Sequence, residues 1–413
     1  MPKCVEPAVK SFIDNDLYKF TMQQFLFHRR NAGDSPVEYS FKCRDKGIEW
    51  ADEVVAAIKT EIDAYKKLRI TGDDLEYLRS LVLFTDDYLS WLKSEANPWN
   101  KINIELSTTS EKSLVLKIKG TWLDTILLEV PLLAIINECF FKTDDAALKS
   151  NFKKGDKNLD ADIKYLKKYG EGVKVIEFGT RRRYSADWQR HVLERLMNET
   201  PDNLRGTSNL HFAKTLGLKA SGTMAHELFM GFQRIVPLEQ SQEYVLDAWM
   251  EEYGDKLGIA LTDTVTTDAF IKILNRRPIL IRKYRGFRND SGDPILWLGK
   301  IHSLLMSNRK SWMICDGAGN NKTLVFSDNL NLRKAVEILS AVRKIDKDDG
   351  IYNVAFGIGT YLTNHLARTP LNIVIKLVKC NGEAVGKLSD DMKKSICDND
   401  AYLEHLKNTF GAT

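Results

Sequence analysis

The chain has 413 residues, 43% apolar and 28% charged, with 60 Lys and Arg against 56 Asp and Glu. A formal charge of +4 is too weak to point to nucleic acid, and 18 Phe, 14 Tyr and 8 Trp supply enough core material to exclude a disordered chain. The length suits two or three domains, or one large barrel with an extra layer.

In chain order, residues 1–16 (MPKCVEPAVKSFIDND) contain no apolar signal-peptide core. The run DNDLYKFTMQQ from Asp14 to Gln24 reads as a helix cap and a first helix. Residues 49–98 carry Trp50, Val54, Val55, Ile58, Ile62 and Tyr65 at helical spacing, and a second apolar series from Leu78 to Leu92. Residues 102–120 alternate in short bursts and predict antiparallel strands. The most apolar stretch, residues 122–141, holds Asp124, Glu129, Pro131, Asn137 and Glu138. It therefore predicts a buried core helix and no membrane span. Residues 143–170, rich in Lys and Asp, read as an exposed helical connector.

From about residue 173 the rhythm changes. Short β-branched or apolar runs recur at 173–179, 218–222, 259–264, 322–328, 353–359 and 372–378, with helical patterning at 186–198, 224–235, 268–274 and 333–339. Alternating strand and helix predicts a parallel sheet or a β/α barrel. The expected fold class is α/β. It divides into an N-terminal α/β domain over 1–142, a connector over 143–172, a barrel over 173–370 and a C-terminal segment over 371–413 packing on the N-terminal domain. The six cysteines are scattered without a C-x-x-C pair. They read as free thiols of a reducing compartment, which makes the cytoplasm the expected address.

Polar or glycine-rich clusters stand at the C-terminal end of nearly every run, where parallel α/β folds collect their chemistry. Residues 177–185 (EFGTRRRYS) set Arg181, Arg182 and Arg183 after a strand. Guanidinium groups pair bidentately with carboxylate or phosphate, so the triplet suits an anionic ligand; a charged face turned to water is the plainer alternative. Residues 221–227 (SGTMAHE) are expected to open a helix on Ser221, Gly222 and Thr223, whose free N–H groups suit an anion. His226 then falls in the first turn as a base, nucleophile or phosphate ligand, or as a packed helix histidine. Asp263, Asp290 and Asp328 at strand ends suit ribose hydroxyls or Mg2+, while Asp268 and Asp293 read better as cap and turn residues. No His/Cys cluster has zinc spacing. Gly357, Gly359 and Thr360 read as a short phosphate loop or a plain tight turn.

Eight segments, DNDLYKFTMQQ, EFGTRRRYS, KASGTMAHE, LTDTVTTDAF, RNDSGDP, VFSDNLN, FGIGTYLTN and PLNIVIKLVKCNG, occur in one order along nearly the whole chain. Together they closely resemble the nicotinate phosphoribosyltransferase family. The resemblance implies an irregular, incomplete β/α barrel with an N-terminal α/β domain. It implies transfer of phosphoribosyl from phosphoribosyl pyrophosphate (PRPP) to nicotinate in NAD salvage, giving nicotinate mononucleotide and pyrophosphate. ATP hydrolysis is coupled through a transiently phosphorylated histidine, matched here by His226. Arg288 and Asp290 fall in the ligand-binding RxDSGDP segment and are carried over as catalytic. The base-stacking positions look like Phe178 and, from a neighbouring subunit, Tyr18, which implies a homodimer. Arg181 lies by the base and ribose. Ser221, Thr223, Asp263, Ser327, Asp328, Gly357, Gly359 and Thr360 are expected to bind substrate. Mg2+ is expected mainly through the phosphates of PRPP, with no protein ligand assigned. Asn289 stands where relatives vary. Residues 206–213 offer no clear equivalent of the Asp that the related nicotinamide-specific enzyme sets near the amide, which favours a carboxylate substrate.

The chemistry agrees with that resemblance. All three expected substrates are anionic, and the pyridine nitrogen already carries a lone pair, so anion binders are needed and a triad is not. The weighed alternatives are a nicotinamide or quinolinate phosphoribosyltransferase, a barrel that binds a phosphorylated sugar or nucleotide without catalysis, and a scaffold. Neither nucleic acid nor membrane is expected as a partner.

Overall fold

The computed structural model describes residues 6–95, 99–142, 145–312, 321–347 and 350–411, with only the backbone for 145–150. The fold is mixed α/β, with a parallel sheet and a separate antiparallel sheet. The chain forms two compact units of three segments each.

The first unit gathers residues 1–168, 176–222 and 358–376. Its antiparallel strands are β1 (Pro36–Cys43), β2 (Asn103–Thr108) and β3 (Leu114–Thr121). Tyr39 pairs with Ile118 across β1 and β3, and Leu106 with Leu116 across β2 and β3. Leu114, Leu116 and Ile118 alternate inward as the period of two requires. The predicted helical stretch becomes three helices, Asp52–Tyr65, Gly72–Ser80 and Asp86–Glu95. Val54, Val55, Ile58, Ile62 and Tyr65 make the buried stripe of the first. The single core helix expected over 122–141 is two, Trp122–Thr125 and Glu129–Lys142. Pro131 lies in the first turn of the second, where its missing N–H leaves no helical bond unmade. Among the described residues no helix is long and apolar enough to cross a membrane. The connector is one helix, Asp145–Tyr169. β4 (Val175–Glu177) and β5 (Leu204–Thr207) follow. The strand expected at 218–222 is reduced to one parallel bridge, Thr207 with Ala220.

The second unit gathers residues 169–175, 223–357 and 377–413. Its parallel strands β6 (Ile259–Leu261), β7 (Gly286–Asn289), β8 (Lys322–Phe326) and β9 (Tyr352–Ile358) pair in sequence order. β7 carries no apolar run long enough to stand out in the sequence. Helices Thr267–Arg276, Pro294–Ser307 and Leu332–Asp346 supply the crossovers that parallel neighbours require. Phe287, Leu324, Phe326 and Phe356 are fully buried in the sheet core, with Phe326 stacked on Phe356 at 5.9 Å. β10 (Ile373–Cys380), whose residues 373–376 belong to the first unit, and the short β11 (Glu383–Ala384) form an antiparallel pair. The C-terminal ends of β6, β7 and β8 release residues 262–264, 290–292 and 327–328 into loops.

Candidate functional site

In the first unit the chemistry sits where the Asp14 segment meets the loop after β4. Glu177 ends that strand fully buried. It accepts from Thr207 Oγ1 at 2.6 Å, from Gln189 Nε2 at 2.9 Å and from the Gly179 N–H. Burial pushes its carboxyl above the ordinary range. These bonds shape the 3-10 turn Thr180–Arg182, and the three arginines then diverge. Arg183 is fully buried and grips Asp14 with both Nη atoms, each at 2.8 Å. Burial raises the Asp14 carboxyl, but Arg183 outweighs it and holds it low. Arg182 donates to Ile373 O at 2.8 Å and to Asn372 Oδ1 at 3.0 Å. Arg181, like Arg182, is half-buried; its side chain keeps 39% exposure, with Nη1 3.1 Å from Glu129 Oε1. The other oxygen of Glu129 takes the buried Lys19 Nζ at 2.7 Å.

Tyr18 and Phe178 are both half-buried. Each lies against a glycine that admits no side chain. A Cβ on Gly222, at φ +156, would come 3.3 Å from Tyr18 N, and one on Gly359 would come 2.9 Å from Phe178 O. Gly359 caps the short helix Thr360–Thr363, and Thr363 Oγ1 donates back to Gly179 O at 3.0 Å. Gly357 lies instead inside β9, buried, and belongs to the second unit, so the loop begins at Gly359. The Ser-Gly-Thr segment corrects an expectation. It opens no helix: the Ser221 N–H is taken by Thr207 O at 2.9 Å, Ala225 is the N-cap, and the helix is His226–Phe232. The pairing of residues 219–221 with Thr207 of β5 takes the Ser221 N–H away from any anion.

In the second unit the polar groups converge on His226, which is 8% exposed. Its Nδ1 is 3.1 Å from Thr264 Oγ1. Its Nε2 is 3.0 Å from Asp290 Oδ2, 3.6 Å from Asp263 Oδ1 and 2.8 Å from Lys387 Nζ. Lys387 Nζ is also 2.8 Å from Asp263 Oδ2. Asp290 Oδ1 accepts from Ser327 Oγ at 2.6 Å and from Arg288 Nη2 at 3.1 Å, and Arg288 Nε donates to Ser327 Oγ at 3.0 Å. Burial, then the Lys387 ammonium, depress the imidazole to about 4. Burial raises Asp290, yet Arg288 and the other cationic partners hold it well below the carboxylate range. Asp328 is paired with Lys394. Thr223 Oγ1 donates to Ile259 O at 3.2 Å. Among the described residues no group of three or more His, Cys, Asp and Glu is arranged to hold a metal ion.

Asp293 caps the helix Pro294–Ser307 through Ile295 N and Leu296 N, as its sequence context predicts. Asp268 is not the cap of its helix, because Thr266 is, and it pairs with Lys300. The structure thus brings Asp263, Arg288, Asp290 and Ser327 around His226, and sets Arg181 beside Glu129. Sequence reasoning missed Lys387, Lys19 and Glu129. Lys387 stands 161 residues from His226, in a GKLSDD run with no local signal except a charge that the fold buries.

Family models described as the nicotinate phosphoribosyltransferase (NAPRTase) family and as its N-terminal domain match residues 173–413 and 13–137. A nicotinate phosphoribosyltransferase of Xanthomonas euvesicatoria is 40% identical over 404 residues, covering 98% of each chain. One of Xylella fastidiosa is 40% identical over 412 residues, covering 99% of each. The crystal structure of nicotinate phosphoribosyltransferase from Vibrio cholerae superposes with a TM-score of 0.85 at 32% identity, over 98% of this chain and 94% of that one.

Proposed function

The chain belongs to the nicotinate phosphoribosyltransferase family, and from that premise we propose that it transfers phosphoribosyl from PRPP to nicotinate, coupled to ATP through phosphorylation of His226. The observation that carries the coupled reaction is His226 itself. It is a buried imidazole ringed by Lys387, Asp263, Asp290 and Thr264.

The bond from ribose C1 to pyrophosphate breaks as the pyridine nitrogen closes on C1, through a transition state of oxocarbenium character. Positioning and neutralisation of the leaving pyrophosphate supply the acceleration. Phe178 stacks on the pyridine ring, and Tyr18 covers its other face from the neighbouring copy of a homodimer. Arg181 reaches the base and ribose with the exposed side of a guanidinium that Glu129 anchors. Ser221 and Thr223 offer hydroxyls. The backbone at Gly359 and Thr360 takes phosphate after Gly357, with Ser327 and Asp328 on the preceding loop. Arg288 and Asp290 act beside His226, and Asp263 holds the acidic side. Mg2+ arrives as the counter-ion of PRPP and ATP. PRPP carries its own leaving group, so ATP adds drive by charge. A phosphoryl group on His226 brings about −1.5 to −2 charges, if phosphoserine is a guide. It thereby changes affinity for PRPP and products.

The experiment is a product assay with purified protein, PRPP, Mg2+ and nicotinate or nicotinamide, with and without ATP. Nicotinate mononucleotide formation that rises strongly with ATP is expected. Equal use of nicotinamide would overturn the substrate assignment, and binding of PRPP without pyrophosphate release would overturn catalysis.

A further inference from the structure

The imidazole of His226 meets two competing partners at one ring nitrogen. Its Nε2 lies 3.0 Å from a carboxylate oxygen of Asp290, which can only accept, and 2.8 Å from Lys387 Nζ, which donates. One ring nitrogen cannot serve both. It either carries a proton and gives it to Asp290, or offers a lone pair to the ammonium. Two features favour the second arrangement. Lys387 is anchored by Asp263 Oδ2 at 2.8 Å, while Arg288 and Ser327 both engage Oδ1 of Asp290 and offset the charge of that carboxylate, leaving only its Oδ2 toward the ring. The other nitrogen, Nδ1, faces Thr264 Oγ1 at 3.1 Å, which accepts its proton.

Lys387 is also fixed in place by its neighbours. Leu388 N donates to Thr264 O at 2.8 Å. Asp390 accepts from Thr267 N at 2.7 Å and Thr267 Oγ1 at 2.6 Å, and its own N–H donates to Ser291 Oγ at 3.0 Å. Between them Ser389 sits at φ 67, a left-handed conformation that costs a non-glycine residue energy. Thr266, facing it in sequence across the same bonds, is at φ 81. Two strained residues thus flank the bonds that place one lysine on one ring nitrogen.

We propose that Lys387 is the positioning residue of the nucleophile: it holds His226 in the tautomer with the proton on Nδ1 and the lone pair on Nε2. This rests on the reading that His226 receives the phosphoryl group. In that step the Nε2 lone pair forms the bond to the γ-phosphorus of ATP, the bond from that phosphorus to the bridging oxygen breaks, and ADP leaves with the electron pair. The ring loses no proton beforehand, because Nε2 carries none. Lys387 gives up Nε2 and donates to the incoming phosphoryl oxygens. The charged groups around the ring are Lys387, Asp263 and Asp290, with Arg288 acting on Asp290.

The test is long-range proton–nitrogen NMR on full-length protein labelled with 15N-histidine, with the His226 signals assigned by loss in His226→Asn. At pH 7 the parent is expected to show a protonated Nδ1 and a bare Nε2, titrating near 4 rather than at the ordinary 6.5. Lys387→Met is expected to move the titration back toward 6.5 and to put the proton on Nε2, facing Asp290. Lys387→Arg is expected to restore the parent tautomer. A proton on Nε2 in the parent overturns the proposal without any variant, so a misfolded Lys387→Met does not protect it. An unchanged tautomer and titration in a folded Lys387→Met overturns it too. Labelling from γ-32P ATP is the separate arm. Its acid limb is expected to rise in pH in Lys387→Met and return in Lys387→Arg. No label on a His226 that shows the expected tautomer would overturn the phosphohistidine reading and leave the role of Lys387 on the ring standing.

Discussion

Arg183 and Lys387 are both buried cations beside buried carboxylates, one in each unit, and they are used in opposite ways. The flat fork of Arg183 fits both oxygens of Asp14 at once, and Ala8 O and Gln189 Oε1 take further hydrogens. Nothing about the pair is divisible, and it ties residue 14 to residue 183. Lys387 is a point charge with three hydrogens, divided between a carboxylate and an imidazole. A guanidinium suits a joint that must stay closed. An ammonium suits a contact that must be surrendered when a phosphoryl group arrives.

The largest expected effect breaks the closed joint. Arg183→Met leaves Asp14 as an uncompensated buried charge and is expected to cost about 3–5 kcal/mol of stability, read by denaturant unfolding. Because Arg183 holds the folded Asp14 below its ordinary 3.8, that stability is present above pH 3.8 and lost as pH falls through the lower folded value. The variant should lose this acid limb. A small cost with an unchanged limb would show that the pair is not what fixes the loop after β4.

The next effect falls on the divisible contact. His226→Asn is expected to abolish the ATP stimulation of turnover, a coupling of roughly 1–3 kcal/mol or 5–150-fold if it resembles other linkages. Unfolding should show a second mark. The folded ring titrates near 4 and the unfolded one at 6.5, so the unfolded state binds more protons between these values and stability rises with pH there. His226→Asn should flatten that slope; a slope that persists would assign it to another group.

Smaller changes sharpen the contrast. Phe178→Ala is expected to raise the KM for nicotinate more than that for PRPP, by the stacking increment of about 0.5–1.5 kcal/mol and whatever burial adds. Parallel rises in both would place Phe178 in loop structure instead of base contact. Lys300→Ala breaks an exposed pair with Asp268, 2.8 Å long, with side chains 44% and 63% exposed. It is expected to move stability by about 0.5 kcal/mol or less. A cost near that of Arg183→Met would mean that burial is not what separates the two classes of ion pair.

The sequence by itself determined the local elements. The stripe from Val54 to Tyr65 could bury one face only as a helix, and the alternation of Leu114, Leu116 and Ile118 only as a strand. It also placed the chemistry at strand ends, and the ordered motifs carried the family. Short strands were harder. β5 and β7 have four residues each, too few for a period to show, and residues 219–221 pair with β5 while the helix starts only at His226, a distinction that the local sequence does not carry. Only the tertiary structure decided which of three adjacent arginines is fully buried. It also decided that Glu129 anchors Arg181 from 52 residues away, and that Lys387 meets His226 from 161 away. Helix and strand periods act within a few residues, so they are written in the local sequence. A charge's partner depends on chain closure over tens to hundreds of residues, and nothing near Lys387 in the chain specifies it.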